Sequence, residues 1–194
     1  MNPTLISGPC FSSSMSLVKA REIGINSPSK LLFDQLRDLY SMEKQLASSL
    51  PILADSATHP VLKELVACQS YRTYRRKVQL LVIFRCHDLS PGTDHCRVIE
   101  GLVRGGAFHV ARIDDAATRD LMILAHCIRI GQYGVAGYGI AASLARRVGY
   151  VQESEALSSL REEEDQAAKR LRDLEAEIFD VTYLQDSACD CRHH

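Results

Sequence analysis

Long amphipathic segments dominate the chain between residues 27 and 179. In the first of them, leucines recur at alternating spacings of four and three residues, which places them on one face of a long helix. The members of this series are Leu32, Leu36, Leu39, Leu46, Leu50 and Leu53. Glu43 occupies the series position between Leu39 and Leu46. A buried carboxylate costs several kcal/mol unless cations or hydrogen-bond donors compensate it, so either Glu43 reaches solvent or another segment supplies its partner.

Helix start and stop signals divide this region into four long helices and one short helix. Ser27 and Pro28 are typical of a helix N-terminus, and a second start follows the turn that ends at Pro60. We expect helices at about 27–57, 60–87, 96–110, 116–148 and 152–179, with the short one broken near Gly105 and Gly106. The sequence therefore predicts an all-α fold, an antiparallel four-helix bundle with one additional short helix.

The four long helices lose their apolar character at the same level of this bundle. Glu43 interrupts the first series, Glu163 or Glu164 interrupts the fourth, and Gly131 and Gly134 lie at the middle of the third. The second helix has a polar centre within its predicted core series, which is Leu62, Leu65, Gln69, Arg72, Arg76, Gln79 and Ile83. This coincidence favours a buried polar centre over a solvent-exposed Glu43.

Composition excludes several classes of partner. A net charge of −1 with 24% charged residues gives no electrostatic bias toward nucleic acid or a membrane surface. No stretch approaches the roughly 20 apolar residues of a membrane span. The basic, aromatic segment 71–77 is more typical of a solvated helix face with buried arginines than of a nucleic-acid site. We therefore expect neither a membrane nor a nucleic-acid partner.

The termini and the cysteines indicate the compartment. The N-terminus lacks a secretory signal, and the seven cysteines are scattered, so we expect a cytoplasmic protein with reduced thiols. Residues 1–26 are expected to form a mobile N-terminal tail and residues 180–194 a C-terminal tail. The C-terminal tail contains Cys189, Cys191, His193 and His194. No second pair of ligands closes a tetrahedral metal site there, and the two histidines are also what a purification tag leaves behind.

Several motifs resemble one protein family. In order along the chain they are LLFDQLRDLYSMEKQL, ATHPVLKEL, CRVIEGLV, RDLMILA and QYGVAGYG. They resemble the ferritin-like family typified by the bacterial stress proteins YciE and YciF, and the resemblance covers residues 27–179. It implies a ferritin-like bundle, a bacterial and stress-associated role, and a two-metal centre built from one glutamate of each long helix together with histidines.

The ligands that the resemblance implies are only partly present. Glu43 matches the glutamate of the first helix, and Glu162 or Glu163 matches that of the fourth. On the second helix, the histidine and glutamate of the family pattern are replaced by Gln69 and Arg72. On the third, the pattern Glu-His-Tyr-Glu reads Gly131, Gln132, Tyr133 and Gly134.

Two carboxylates cannot hold two divalent cations, which need about six ligands each, and arginine adds a fixed positive charge that repels metal. We therefore expect no cofactor and no metal, or at most a single metal between Glu43 and Glu163. We predict instead that Arg72 hydrogen-bonds Glu43, Glu163 or both, while Gln69 or Gln132 satisfies the remaining groups. The predicted layer contains Glu43, Gln69, Arg72, Arg76, Gly131, Gln132, Gly134, Glu162 and Glu163. The two arginine side chains are expected to fill the volume beside the glycines.

These expectations give one principal functional hypothesis and two alternatives. The principal one is a non-catalytic bundle, a structural or binding protein associated with stress, which forms a homodimer. The first alternative is a metal-binding protein or oxidoreductase that keeps a single metal site. The second is a bundle that binds a small ligand, of unknown identity, in the glycine-lined centre.

Overall fold

The computed structural model describes residues 24–190, with the backbone alone for residues 181–190. The predicted N-terminal tail therefore lies almost wholly outside the described residues, as do Cys191, His193 and His194. The described part contains five helices, α1 Pro28–Ser56, α2 Pro60–Cys86, α3 Arg97–Val110, α4 Ala116–Arg147 and α5 Val151–Asp190. Every regular element in this part of the chain is a helix, so the all-α prediction is confirmed.

The structure corrects the predictions for two of the helices. The short helix α3 is continuous through Gly105 and Gly106, where we expected a break. Gly106 is buried, and a Cβ at this position would lie 3.1 Å from the ring of His126, so the glycine lets α3 approach α4. The last helix continues past Phe179 to Asp190, into the predicted C-terminal tail.

Each long helix packs against antiparallel neighbours. Phe33 of α1 contacts Phe84 near the end of α2, with ring centroids 6.1 Å apart. The residues that follow α1 meet the start of α4, where Thr58 donates to Asp120. The chain therefore leaves α2 at one end of the bundle and enters α4 at the other, and α3 lies on this crossover. One long crossover between two helical hairpins is the connectivity of ferritin-like bundles.

Leucines of α1 form the centre of the apolar core, as their spacing predicts. Leu36, Leu39 and Leu46 are almost fully buried. The Ser27 hydroxyl caps α1 by accepting from the Lys30 N–H, and Asp115 caps α4 in the same way. No helix in the described part of the chain is long and apolar enough to cross a membrane.

Candidate functional site

Arg76 lies at the centre of the bundle and joins two buried carboxylates. Its Nε donates to Oε1 of Glu43 at 2.8 Å, and its Nη2 lies 2.7 Å from Oε1 of Glu164. The side chains of Arg76 and Glu43 are 0% exposed and that of Glu164 is 2% exposed. Three different helices, α1, α2 and α5, therefore meet at one guanidinium.

Three further side chains complete this ion cluster. The hydroxyl of Tyr138 donates to Glu43 Oε1 at 2.7 Å. Gln69 Nε2 donates to Glu164 Oε2 at 2.9 Å. The hydroxyl of Thr73 accepts from Arg76 Nη2 at 3.0 Å. Charge-assisted hydrogen bonds of this kind are shorter and stronger than neutral ones, so the cluster fixes the relative positions of the helices.

The predicted role of Arg72 is wrong, and the rotation of α2 explains why. The residues that α2 buries are Leu62, Val66, Gln69, Thr73, Arg76, Leu80, Ile83 and Phe84. This series agrees with the predicted one at every second position, but it contains Val66, Thr73 and Leu80 where we expected Leu65, Arg72 and Gln79. Arg72 is half-buried and donates to neither Glu43 nor Glu163, whereas Arg76 reaches the centre.

Three adjacent glutamates on α5 have three different environments. Glu162 is exposed, and Glu163 lies 3.7 Å from the surface residue Arg75. Glu164 alone reaches the centre. The other buried residues of the α5 series are Leu157, Leu160, Ala167, Leu171, Leu174 and Ile178, which have a regular spacing of three and four residues around Glu164. The structure therefore places Glu164 where the resemblance implies Glu162 or Glu163.

The two central glycines make room for Glu164 and its helix. A Cβ on Gly134 would lie 3.3 Å from the Glu164 side chain, and one on Gly131 would lie 3.4 Å from Cβ of Ala168. We expected the arginines to fill this volume, and that expectation is wrong, because α5 approaches α4 closely enough to occupy it. Gln132 is exposed and takes no part in the cluster.

Sequence reasoning missed Tyr138 and Thr73 as members of the cluster. Tyr138 follows Gly131 by two helical turns and so lies on the same face, and its hydroxyl was the available signal, because a buried hydroxyl almost always has a hydrogen-bond partner. For Thr73 the only signal was its position on the buried face of α2. The predicted core series assigned that position to Arg72 instead.

Burial raises the pKa values of both central carboxyls. Desolvation raises the pKa of Glu43 although Arg76, Tyr138 and Thr73 oppose the shift. Desolvation raises the pKa of Glu164 to about 7, again against the attraction of Arg76. Burial acts against the charged form of Arg76, but the two carboxylates together outweigh it and raise the pKa of the guanidinium. One cation faces two carboxyls, so the charge balance of the cluster favours the protonation of one of them.

The residues of the cluster do not fit a two-metal centre. Both carboxylates face Arg76, and the glycines of α4 supply no ligand. Glu43 and Glu163, the predicted pair for a single metal, are not brought together, because Glu163 pairs with Arg75 instead. Among the side chains that the structure describes, those of residues 24–180, no group of three or more from His, Cys, Asp and Glu is arranged to hold a metal ion.

Comparison with known proteins agrees with the fold. A family described as a domain of unknown function, DUF892, matches residues 27–182. The chain belongs to this family. Protein YciF of Escherichia coli K12 is 27% identical to it over 140 residues, which are 72% of this chain and 84% of YciF. The resemblance to the YciE/YciF group is thus confirmed.

Solved structures of related proteins have the same fold as this DUF892 chain. YcfI, a proposed structural protein of Rhodopseudomonas palustris, has a TM-score of 0.75 and 25% identity, over 77% of this chain and 96% of YcfI. The E. coli stress protein YciF has a TM-score of 0.77 and 24% identity, over 80% and 99% of the two chains. A Xanthomonas campestris protein at 16% identity has a TM-score of 0.66, over 84% and 99% of the two chains. The similarity to the last two structures shows a shared fold and nothing about function.

Proposed function

We propose that this protein is a non-catalytic DUF892 bundle, structural or binding in role, in which an arginine–carboxylate cluster replaces the two-metal centre implied by the ferritin-like resemblance. The observation that supports the proposal is the position of Arg76, which contacts Glu43 and Glu164 at once. A guanidinium keeps its charge at every physiological pH. It therefore supplies a permanent positive charge to the two buried carboxyls, where a metal ion would do so only when bound.

The charge and the donor set of the cluster both support this function. Divalent metals need several oxygen or nitrogen ligands each, and the cluster offers two carboxyl groups that already face a cation. Among the related proteins, YcfI is described as a proposed structural protein and YciF as a stress protein. A stress-associated structural or binding role agrees with both descriptions.

The cluster fits neither of the alternative functions well, the single metal site or the small-ligand site. A single metal would have to bind Glu43, of which only Oε2 has no hydrogen-bond partner. One free oxygen is too few ligands for tight binding. A ligand in the glycine-lined centre would have to displace the Glu164 side chain, which already packs against Gly134.

Metal analysis of untagged protein tests the proposed function. The wild-type protein, purified from medium that contains iron, manganese and zinc, is expected to hold none of them in stoichiometric amount. Two variants locate any metal that is found, Glu43→Gln in the cluster and the His193→Ser, His194→Ser double variant at the C-terminus. Stoichiometric metal that the Glu43→Gln variant loses and the histidine variant keeps would contradict the proposal.

A further inference from the structure

A small cavity lies beside the ion cluster, between α2 and α5. Its volume is about 30 Å³. Most of its wall is apolar and comes from all four long helices, through Leu50, Leu65, Val66, Ile130, Ala167 and Leu171. The exposed residues Cys68 and Arg170 also line it, which places part of its wall at the protein surface. A space of about 10–15 Å³ admits a water molecule, so this cavity is large enough for one or two.

Gln69 connects the cavity to the ion cluster. Its side-chain Nε2 donates to Glu164, which is not among the residues that line the cavity. Its Oε1 is buried and has no hydrogen-bond partner within the protein. Gln69 itself is 9% exposed and lines the cavity. The amide therefore has one end on the cluster and an unpaired acceptor available to the cavity.

The chemistry of the wall restricts what this acceptor can bind. A buried carbonyl oxygen without a donor is costly, and cavities with polar walls hold water whereas purely apolar ones stay dry. Arg72 and Arg170 also line the space, and two positively charged residues in the wall disfavour a cation. Burial raises the pKa of the Cys127 thiol to about 12, so this second polar group of the wall is neutral. These groups together select a small, uncharged hydrogen-bond donor.

We propose that this cavity is a binding site for water and for neutral hydroxylic molecules of similar size, whose O–H group donates to Gln69 Oε1. The site adjoins the ion cluster and shares Gln69 with it, and it does not depend on whether the cluster binds metal. Its occupant gives Gln69 a full set of partners and links the cluster to solvent through a single amide.

The orientation of the amide couples the occupant to the proton on Glu164. When Glu164 is ionised, Gln69 donates through Nε2 and offers Oε1 to the cavity. When Glu164 carries a proton on Oε2, a rotated amide accepts that proton's hydrogen bond and offers its NH₂ group to the occupant instead. In both arrangements the Gln69 amide has a partner in Glu164 and another in the occupant, because an amide has donor and acceptor ends and water can act as either.

High-resolution crystal structures of the wild type and three variants test this site. Gln69→Met removes the acceptor at similar side-chain volume, and Ala167→Val fills the cavity. Ala142→Val is the matched control, because Ala142 and Ala167 are both 7% exposed and only Ala167 lines this cavity. An ordered water about 3 Å from Gln69 Oε1 is expected in the wild type and in Ala142→Val, and is expected to be lost in the other two variants.

Two further outcomes would overturn the proposal. One is a wild-type cavity without water that fills with xenon in pressurised crystals, since xenon occupies dry apolar cavities. The other is a water that remains in the same place in Gln69→Met. In solution, a nuclear Overhauser effect between water and the Gln69 side-chain amide is expected in the wild type, and its absence would also contradict the site. If Ala167→Val does not fold, the measurements on Gln69→Met and on the wild type still test the proposed site.

Discussion

The bundle buries carboxylates in two places and compensates them in different ways. At one end, Asp120 of α4 is 3% exposed and accepts hydrogen bonds from the N–H of Thr58 at 2.8 Å, its hydroxyl at 2.5 Å and the N–H of His59 at 2.7 Å. At the centre, Glu43 and Glu164 share the single cation Arg76. Asp120 is bound by two consecutive residues of one short segment, whereas Glu43 and Glu164 are bound by side chains of separate helices.

The two sites therefore differ in whether every polar atom has a hydrogen-bond partner and in how readily a carboxyl binds a proton. The N-terminus of a helix has N–H groups without intrahelical acceptors, so Asp120 meets donors at the start of α2 that need an acceptor anyway. The central cluster leaves Glu43 Oε2 and Arg76 Nη1 without partners and holds more carboxyl groups than cations. The hydrogen bonds of Asp120 thus hold the end of the bundle together, whereas the stability of the centre depends on the protonation of its carboxyls.

The largest expected effect comes from removing the shared cation. Arg76→Leu leaves two buried carboxyls without a counter-charge and should lower the free energy of unfolding by about 3–5 kcal/mol. Arg72→Ala is the matched control, because Arg72 lies one turn away on α2 and donates to neither Glu43 nor Glu163; it should cost much less. Urea unfolding of both variants measures the difference. Equal losses of unfolding free energy in the two variants would mean that Arg76 stabilises the fold no more than Arg72 does.

Removal of the carboxylate at the bundle end should have a somewhat smaller effect. Asp120→Ala leaves the donors of Thr58 and His59 unpaired and should cost about 2–3 kcal/mol, as expected for a lost cap with charged hydrogen bonds. Asp120→Asn keeps an acceptor and should lose less. Hydrogen exchange at the start of α2 should accelerate in the alanine variant. Unchanged exchange there would show that Asp120 does not hold this end.

The close approach of α5 to α4 gives the next prediction. Gly134→Leu should destabilise the protein by about 1–3 kcal/mol, because the new side chain overlaps Glu164. Gly101→Ala is the control, since a Cβ there meets nothing within 4 Å and alanine favours the helix by up to about 1 kcal/mol. Thermal unfolding should move in opposite directions for the two variants. A Gly134→Leu variant that melts like the wild type would show that the interface can relax.

The smallest effect is a dependence of stability on pH. Glu164, with its pKa raised to about 7, binds a proton more readily in the folded state than in the unfolded state. Its contribution is therefore complete below about pH 4.5 and is lost as the pH rises through 7, with a slope of at most about 1.4 kcal/mol per pH unit. His126 acts in the opposite direction, because burial lowers its pKa and its contribution is lost as the pH falls below 6.5.

Comparison with Glu164→Gln isolates the glutamate in this measurement. The variant cannot titrate at this position and keeps a neutral side chain of similar size. The difference in unfolding free energy between wild type and variant should change between about pH 4.5 and 7, in the direction that disfavours the wild type at high pH. A constant difference over this interval would mean that Glu164 titrates normally.

The sequence predicts the fold and the level of the polar centre, and local spacing explains this success. The leucine series of α1 places Glu43 on the core face, and the polar positions at the same level of the other long helices indicate that it is buried. On α5, the spacing left Glu163 and Glu164 as alternatives, while the family motif pointed to Glu162 or Glu163 and so missed Glu164. Helical phase was the better guide there, because burial depends on the face of the helix and not on the motif.

The centre of α2 is where the sequence could not decide. Arg72 and Arg76 both fit the predicted series, and polar residues on either side remove the apolar contrast that defines a helix face. The hydrogen-bond donors of Asp120 could not be predicted either, because they belong to a turn that is distant in sequence. Such pairings depend on which helices become neighbours, and a single helical pattern carries no information about that.

A double-mutant cycle between Arg76 and Glu43 tests the central claim most directly. Arg76→Leu strands both carboxyls, and the addition of Glu43→Gln removes one of the stranded charges while it leaves Tyr138 an acceptor. We predict that the double variant unfolds at a higher urea concentration than Arg76→Leu alone, because the two groups neutralise each other in the wild type. Losses that simply add would contradict the claim that these residues form one ion cluster.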